Sequence, residues 1–288
     1  MSNLFSGLNW ITKYLEGSHL GKLPFTYLVY ELLYTKLAPK GEEVLVSLDG
    51  HKLWVNSRDR GEVTTALLNR KEYFPFLTKI IEDNTPTGEV CVDVGAHIGF
   101  YTLMMARKAS KVYAFEPAPY NYSLLLRNIS INKYSNIIPS NKAVSDGVGI
   151  SRLLLNKVDL EGNSLLSRKS LSTLGFKTLE IETTSLDSCI NDKVDLVKID
   201  VEGAEPLVLK GMQALIKENK SIVIILEFLP SALKKGKAPP KAFLEGILSL
   251  GLRIYNIDEE KRELYQVTPE YLLTSYKQGC TNLLLRRE

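Results

Sequence analysis

Val90-Cys91-Val92-Asp93-Val94-Gly95-Ala96-His97-Ile98-Gly99 is the stretch on which the fold turns. A short apolar run ends in an acidic residue, two glycines bracket a turn, and helix-forming residues follow as far as Lys108. That is a buried strand feeding a helix, the opening of a βαβ unit. Without a Cβ, glycine takes up positive φ and lets a ligand lie against the backbone, while free N–H groups at the helix start face polar ligand atoms. Gly-x-x-x-Gly alone is weak evidence, because close helix–strand packing also demands glycine.

The next strand, Val112 to Glu116, supplies the context. A carboxylate at the carboxyl end of the second strand can accept hydrogen bonds from both ribose hydroxyls of an adenosine moiety. The bland reading of Glu116 is a surface residue capping the helix after Pro117. The same pair of features would suit a dinucleotide, but the turn lacks the third glycine that lets a pyrophosphate approach. A nucleoside-bearing methyl donor therefore fits better than a nicotinamide. An NAD-dependent oxidoreductase and a non-catalytic nucleoside-binding module are the rival readings.

A second segment, Val194-Asp195-Leu196-Val197-Lys198-Ile199-Asp200-Val201-Glu202-Gly203-Ala204-Glu205, reads as another central strand. Its period of two puts Leu196, Lys198 and Asp200 on one face. A lysine in a central strand is costly unless it is paired or neutralised, so either a structural ion pair to Asp200 or Glu227, or a catalytic role, is expected. Lys198, Asp200 and Glu202 are the catalytic candidates, with Lys198 serving as a base only if burial depresses its pKa. Asp200, Glu202 and Glu227 could converge at the strand ends and bind a divalent cation. No histidine or further acid is spaced to complete such a site, and no metal is expected.

Around these segments, strands and helices alternate as in a doubly wound α/β sheet, mostly parallel, with helices on both faces. Helices are expected over 99–108, 119–132, 205–219 and 241–250, and strands over 137–144, 222–226, 252–257 and 282–285. A less regular stretch holds Gly162-Asn163-Ser164-Leu165-Leu166 and the alternating Leu179, Ile181 and Thr183. Upstream, residues 3 to 38 carry two helical apolar patterns. Alternation on both sides of Asp49-Gly50 predicts a hairpin, and helices over 60–69 and 75–82 follow. Pro86 and Gly88 mark the expected boundary between a helical and hairpin cap, residues 1–85, and the main domain, residues 86–288.

The chain has 288 residues, a net charge of +3, 44% hydrophobic and 24% charged residues, an ordinary globular balance that gives no reason to expect nucleic acid. Its three cysteines, Cys91, Cys189 and Cys280, show no metal or redox spacing. With no secretory pattern at the start and no apolar run long enough to span a bilayer, a cytoplasmic location is expected. The stripe Phe5, Trp10, Tyr14 and Leu15 beside Lys13 reads first as core, with a peripheral membrane or partner contact as the alternative. The sequons at Asn121 and Asn128 fall on a helix and read as chance matches.

Taken together, Asp93-Val94-Gly95-Ala96-His97-Ile98-Gly99, Phe115-Glu116-Pro117, Leu126 with Asn128, Ala143-Val144-Ser145, Ser164-Leu165, Leu186-Asp187, Lys198 to Glu205 and Val208-Leu209-Lys210-Gly211 resemble the FkbM methyltransferases. The resemblance runs over roughly residues 86 to 230. It implies a Rossmann-like class I fold and an S-adenosylmethionine-dependent transfer of methyl to a hydroxyl of a sugar, glycolipid, glycan or other small molecule. It also implies that Asp93, Gly95, Ala96, Gly99, Glu116 and Pro117 surround the cofactor, that Ala143 lies near the adenine, and that Asp200 borders both the methionine part and the acceptor. His97 stands where the family usually has Asn, and is expected to neighbour the cofactor rather than act as a base.

Overall fold

The computed structural model describes residues 43–59, 61–69, 73–155, 177–277 and 279–287. The helices expected over residues 3 to 38, the stripe beside Lys13 and the segment Gly162 to Leu166 lie outside them.

Strands β1 (Glu43–Leu48) and β2 (His51–Asn56) form the expected hairpin. Asp49 and Gly50 turn it with φ of 48° and 81°, the left-handed pair that a two-residue turn between twisted strands requires. Helices α1 (Glu62–Leu68) and α2 (Pro75–Asn84) follow. Then come β3 (Val90–Val94), α3 (Phe100–Ala106), β4 (Lys111–Phe115), α4 (Pro119–Asn132) and β5 (Ile137–Ser140).

The strand expected over 137–144 is two strands. After β5 the chain leaves the main sheet, and β6 (Ala143–Val144) pairs in parallel with β8 (Lys177–Thr184), which is antiparallel to β7 (Gly149–Leu155). A short helix α5 (Leu186–Cys189) precedes β9 (Leu196–Ile199). The helix expected over 205–219 is also two, α6 (Glu205–Lys210) and α7 (Gln213–Glu218). Between them, Gly211 lies so close to the small sheet that a Cβ would sit 2.0 Å from the Ser145 carbonyl oxygen. The side chain of Asp187 accepts the N–H groups of Ala214 and Leu215, capping the restarted helix.

The remaining elements are β10 (Val223–Phe228), α8 (Pro230–Lys235), α9 (Pro240–Ser249), β11 (Arg253–Asp258), β12 (Glu263–Gln266), α10 (Pro269–Ser275) and β13 (Thr281–Arg286). Of these, α8, β12 and α10 have no counterpart in the sequence reading.

Eight strands make the main sheet in the order β12-β11-β13-β10-β9-β3-β4-β5. The run from β10 to β5 is parallel and β13 is antiparallel to both of its neighbours. Alternate residues of each strand feed two cores. Cys91, Leu196 and Ile225 pack with the hairpin and α1 to α4 on one face, whereas Val92, Val197 and Ile224 pack with α6, α7 and α9 on the other. Strand order reverses between β3 and β9, so the crevice beyond their carboxyl ends is the place where such a sheet binds ligands.

Candidate functional site

The Gly95–Gly99 turn leaves β3 over that crevice. Gly95 has φ of 83°, and a Cβ on it would lie 1.9 Å from the Asp200 carbonyl oxygen, so only glycine fits there. The N–H groups of Gly95 and Ala96 both donate to the Phe115 carbonyl, fastening the turn to the end of β4. His97 also takes positive φ, 51°, and its N–H donates to Glu116 Oε2 at 2.9 Å. Glu116 Oε1 accepts the Ala118 N–H, also at 2.9 Å.

Glu116 is thus no surface residue. It is buried, and burial pushes its carboxyl up to about 7 against the pull of those two N–H groups. The Asn121 side chain is a third partner of this carboxylate, and Glu116 also lines the crevice cavity, a position that suits ribose hydroxyls. Ala143 and Pro117 line the same cavity beside it. Both ring nitrogens of His97 are buried without a hydrogen-bond partner, and burial lowers its pKa, so the imidazole is held neutral.

Register explains the second half. Asp93 on β3 is the Cα partner of Lys198 on β9. The Lys198 ammonium lies 3.7 Å from Asp93 Oδ1 and 3.2 Å from Asp200 Oδ2, over the face of Tyr101. Asp93 Oδ2 is held by the Thr102 hydroxyl at 2.6 Å. Burial alone would lower the Lys198 pKa, but Asp200 and Asp93 outweigh it and the value rises. Lys198 therefore stays charged, and the condition for its acting as a base is not met. The expected Lys198–Asp200 pair exists, and Asp93 is the partner that the sequence reading missed.

After β9 the chain turns back on itself. Glu205 Oε1 accepts the N–H groups of Gly203 and Val201, and Glu202 adopts φ of 54° between them. Asp200, Glu202 and Glu227 come together, each offering an oxygen within 4.8 Å of the others, a set able to hold a cation. Glu227 Oε2 is buried and unpartnered, and burial followed by repulsion from Asp200 and Glu202 pushes the Glu227 carboxyl up to about 9.

One cavity of about 730 Å³ joins the two halves. One side of it is the turn with Glu116, Asn121 and Ala143. Its far side is a chamber walled by α1, α2 and the segment after β11, through residues such as Glu62, Phe74 and Glu259. Those far-side residues were not singled out from the sequence, since nothing local in their spacing marks them.

Residues 93–259 match the model of the methyltransferase FkbM domain, which is more than half of the chain. The chain belongs to the FkbM methyltransferase family. Its methyl donor is S-adenosylmethionine. Among curated relatives, this FkbM methyltransferase is 30% identical to methyltransferase sdnD of Sordaria araneosa over 52% of the chain and 71% of that protein. It is 27% identical to the hexuronic acid methyltransferase AglP of Haloferax volcanii, over 63% of the chain and 72% of that protein. A solved FkbM methyltransferase from Methylobacillus flagellatus KT is 17% identical, with a TM-score of 0.44 over 78% of this chain and 52% of that one. Among the described residues, no helix of the FkbM chain is long and apolar enough to cross a membrane.

Proposed function

We propose that this enzyme methylates a hydroxyl oxygen of a sugar, glycan or other small molecule held in the chamber beyond Asp200. The observation that carries this reading is the single cavity running from Glu116, past Asp200, to a chamber large enough for a second molecule. In this reading Asp93, Gly95, Ala96, His97, Gly99, Glu116, Pro117 and Ala143 surround the cofactor. Within the first 85 residues, helices α1 and α2 act as a cap, for Glu62 and Phe74 wall the chamber. The similarity to a hexuronic acid methyltransferase supports a carbohydrate acceptor.

When bound, S-adenosylmethionine supplies a sulfonium methyl that is transferred in one in-line displacement. The protein's share is chiefly placement, since holding two reactants in near-attack geometry removes much of the barrier. Asp200 lies between the two halves and would take the proton of the acceptor's hydroxyl once donor and acceptor were bound. The Lys198 ammonium holds Asp200 Oδ2 and leaves Oδ1 for that task. Glu202 lies beside it and faces the acceptor.

The chamber's acids, among them Glu62, Glu202, Glu259 and Glu260, outnumber its cations, and Lys198 and Lys261 are already paired. An uncharged acceptor suits that field better than an anionic one. The test is transfer of labelled methyl from S-adenosylmethionine to neutral methyl glycosides and to their uronates, with wild type and Asp200→Asn. Labelled O-methyl ethers of the neutral sugars, reduced at least about a hundredfold in the variant, are expected. Methyl esters of the uronates in place of ethers, or an undiminished rate in Asp200→Asn, would overturn the reading.

A further inference from the structure

One buried carboxamide joins three parts of the molecule that the functional reading treats separately. Asn128, on α4 and fully buried, donates through Nδ2 to the Ile98 carbonyl in the cofactor turn at 2.8 Å and to the Trp54 carbonyl in β2 at 3.2 Å. Its Oδ1 accepts the Trp54 N–H at 2.6 Å. One turn later Asn132 repeats the pattern, accepting the Lys52 N–H at 2.9 Å and donating to the Lys52 carbonyl at 2.6 Å.

The spacing explains why two asparagines suffice. Four residues of helix advance about 6 Å and two residues of strand about 6.8 Å, so carboxamides at i and i+4 meet alternate residues of β2. Each carboxamide reads one N–H and one C=O, as a neighbouring strand would. The hairpin's free edge is completed by a helix.

Asn128 does one thing that Asn132 does not. The Ile98 carbonyl precedes α3 and lies outside its hydrogen-bond ladder, and Ile98 itself is buried. Left without a donor it would be a buried orphan. The other peptide groups of the turn are fixed from the opposite side, by the Phe115 carbonyl and by Glu116. The peptide segment from His97 to Gly99 is therefore held between Glu116, which follows β4, and Asn128 on α4.

We propose that Asn128 is a positioning residue for cofactor binding. Through the Ile98 carbonyl it sets the cofactor turn and makes affinity for S-adenosylmethionine depend on a docked cap hairpin. This rests on the cofactor reading above. Calorimetric titration with S-adenosylmethionine, alongside thermal melts, compares wild type, Asn128→Ala, Asn128→Asp and Asn132→Ala. Asn128→Asp can still accept from Trp54 but repels the Ile98 carbonyl.

Both Asn128 variants are expected to bind at least tenfold more weakly. Asn132→Ala, which loosens the hairpin without touching the turn, should stay within threefold at a similar loss of melting temperature. Unchanged affinity in the Asn128 variants, or losses that track melting temperature in all three, would overturn the proposal. No binding by wild type would sink the cofactor reading with it, whereas normal wild-type binding isolates the Asn128 result.

Should the Asn128 variants not fold, amide exchange in wild type decides. Coupling is reciprocal, so S-adenosylhomocysteine should slow exchange of the Trp54 N–H more than that of the Lys52 N–H. Equal effects on the two would refute the proposal.

Discussion

Glu116 carries the most informative single charge. In the free protein burial pushes its carboxyl up to about 7, so near neutrality a large share of molecules hold it protonated. Two ribose hydroxyls donating to it favour the ionised form and lower that pKa. Cofactor binding should therefore release a proton below neutral pH. Titrations with S-adenosylmethionine at pH 6.5, in two buffers of different ionisation enthalpy, should differ by the heat of roughly half a proton or more. Glu116→Gln should abolish the difference and weaken binding by about tenfold or more, for a hydrogen bond to a charged group contributes about 1.5–3 kcal/mol. Identical heats in the two buffers with wild type would mean that Glu116 is already ionised or makes no contact with the ribose.

At the scale of elements, helix α2 shows how distant segments complete the cavity. Its first N–H groups, on Phe76 and Leu77, donate to the two oxygens of Glu259, just beyond β11, at 2.8 and 2.9 Å. A carboxylate there caps the helix and meets the positive end of its dipole. Glu259→Ala should cost about 1–2 kcal/mol and lower the melting temperature by roughly 2–8 °C. A melt that coincides with wild type would show that water replaces the cap at no cost.

That contact also marks where sequence reasoning stops. The hairpin at Asp49-Gly50, strand β3 with its turn, and the limits of α4 were legible, because period, glycine and proline are local signals. So was the approach of Asp200 to Glu227, since β9 and β10 both end in acids. The split of residues 205–219 into two helices was not legible. It follows from the Ser145 carbonyl pressing on Gly211, a contact between segments far apart in the chain. The pairing of Asp93 with Lys198 likewise depends on the register of β3 against β9, and Asn128 and Glu259 act on backbone groups of other elements.

For the whole molecule, the gathering of acids at one end of the sheet fixes the sign of a pH dependence. Glu116 and Glu205 are each pushed up to about 7 and Glu227 to about 9, in every case chiefly by burial, from an ordinary value of 4.5. Between the ordinary and the raised values the folded state binds more protons than the unfolded chain, and stability falls with rising pH in that window. The contribution is complete below about 4.5, declines through 7 as Glu116 and Glu205 ionise, and declines further through 9 as Glu227 ionises against Asp200 and Glu202. Urea midpoints at pH 6, 7.5 and 9 should therefore step downward, and Glu227→Gln should flatten the second step and shrink the first, leaving there the share of Glu116 and Glu205. A midpoint that holds or rises from pH 6 to 9 would contradict this account. If the Glu227→Gln curve instead keeps its full upper step, the charge that opposes folding at high pH lies elsewhere than in the Asp200, Glu202 and Glu227 cluster.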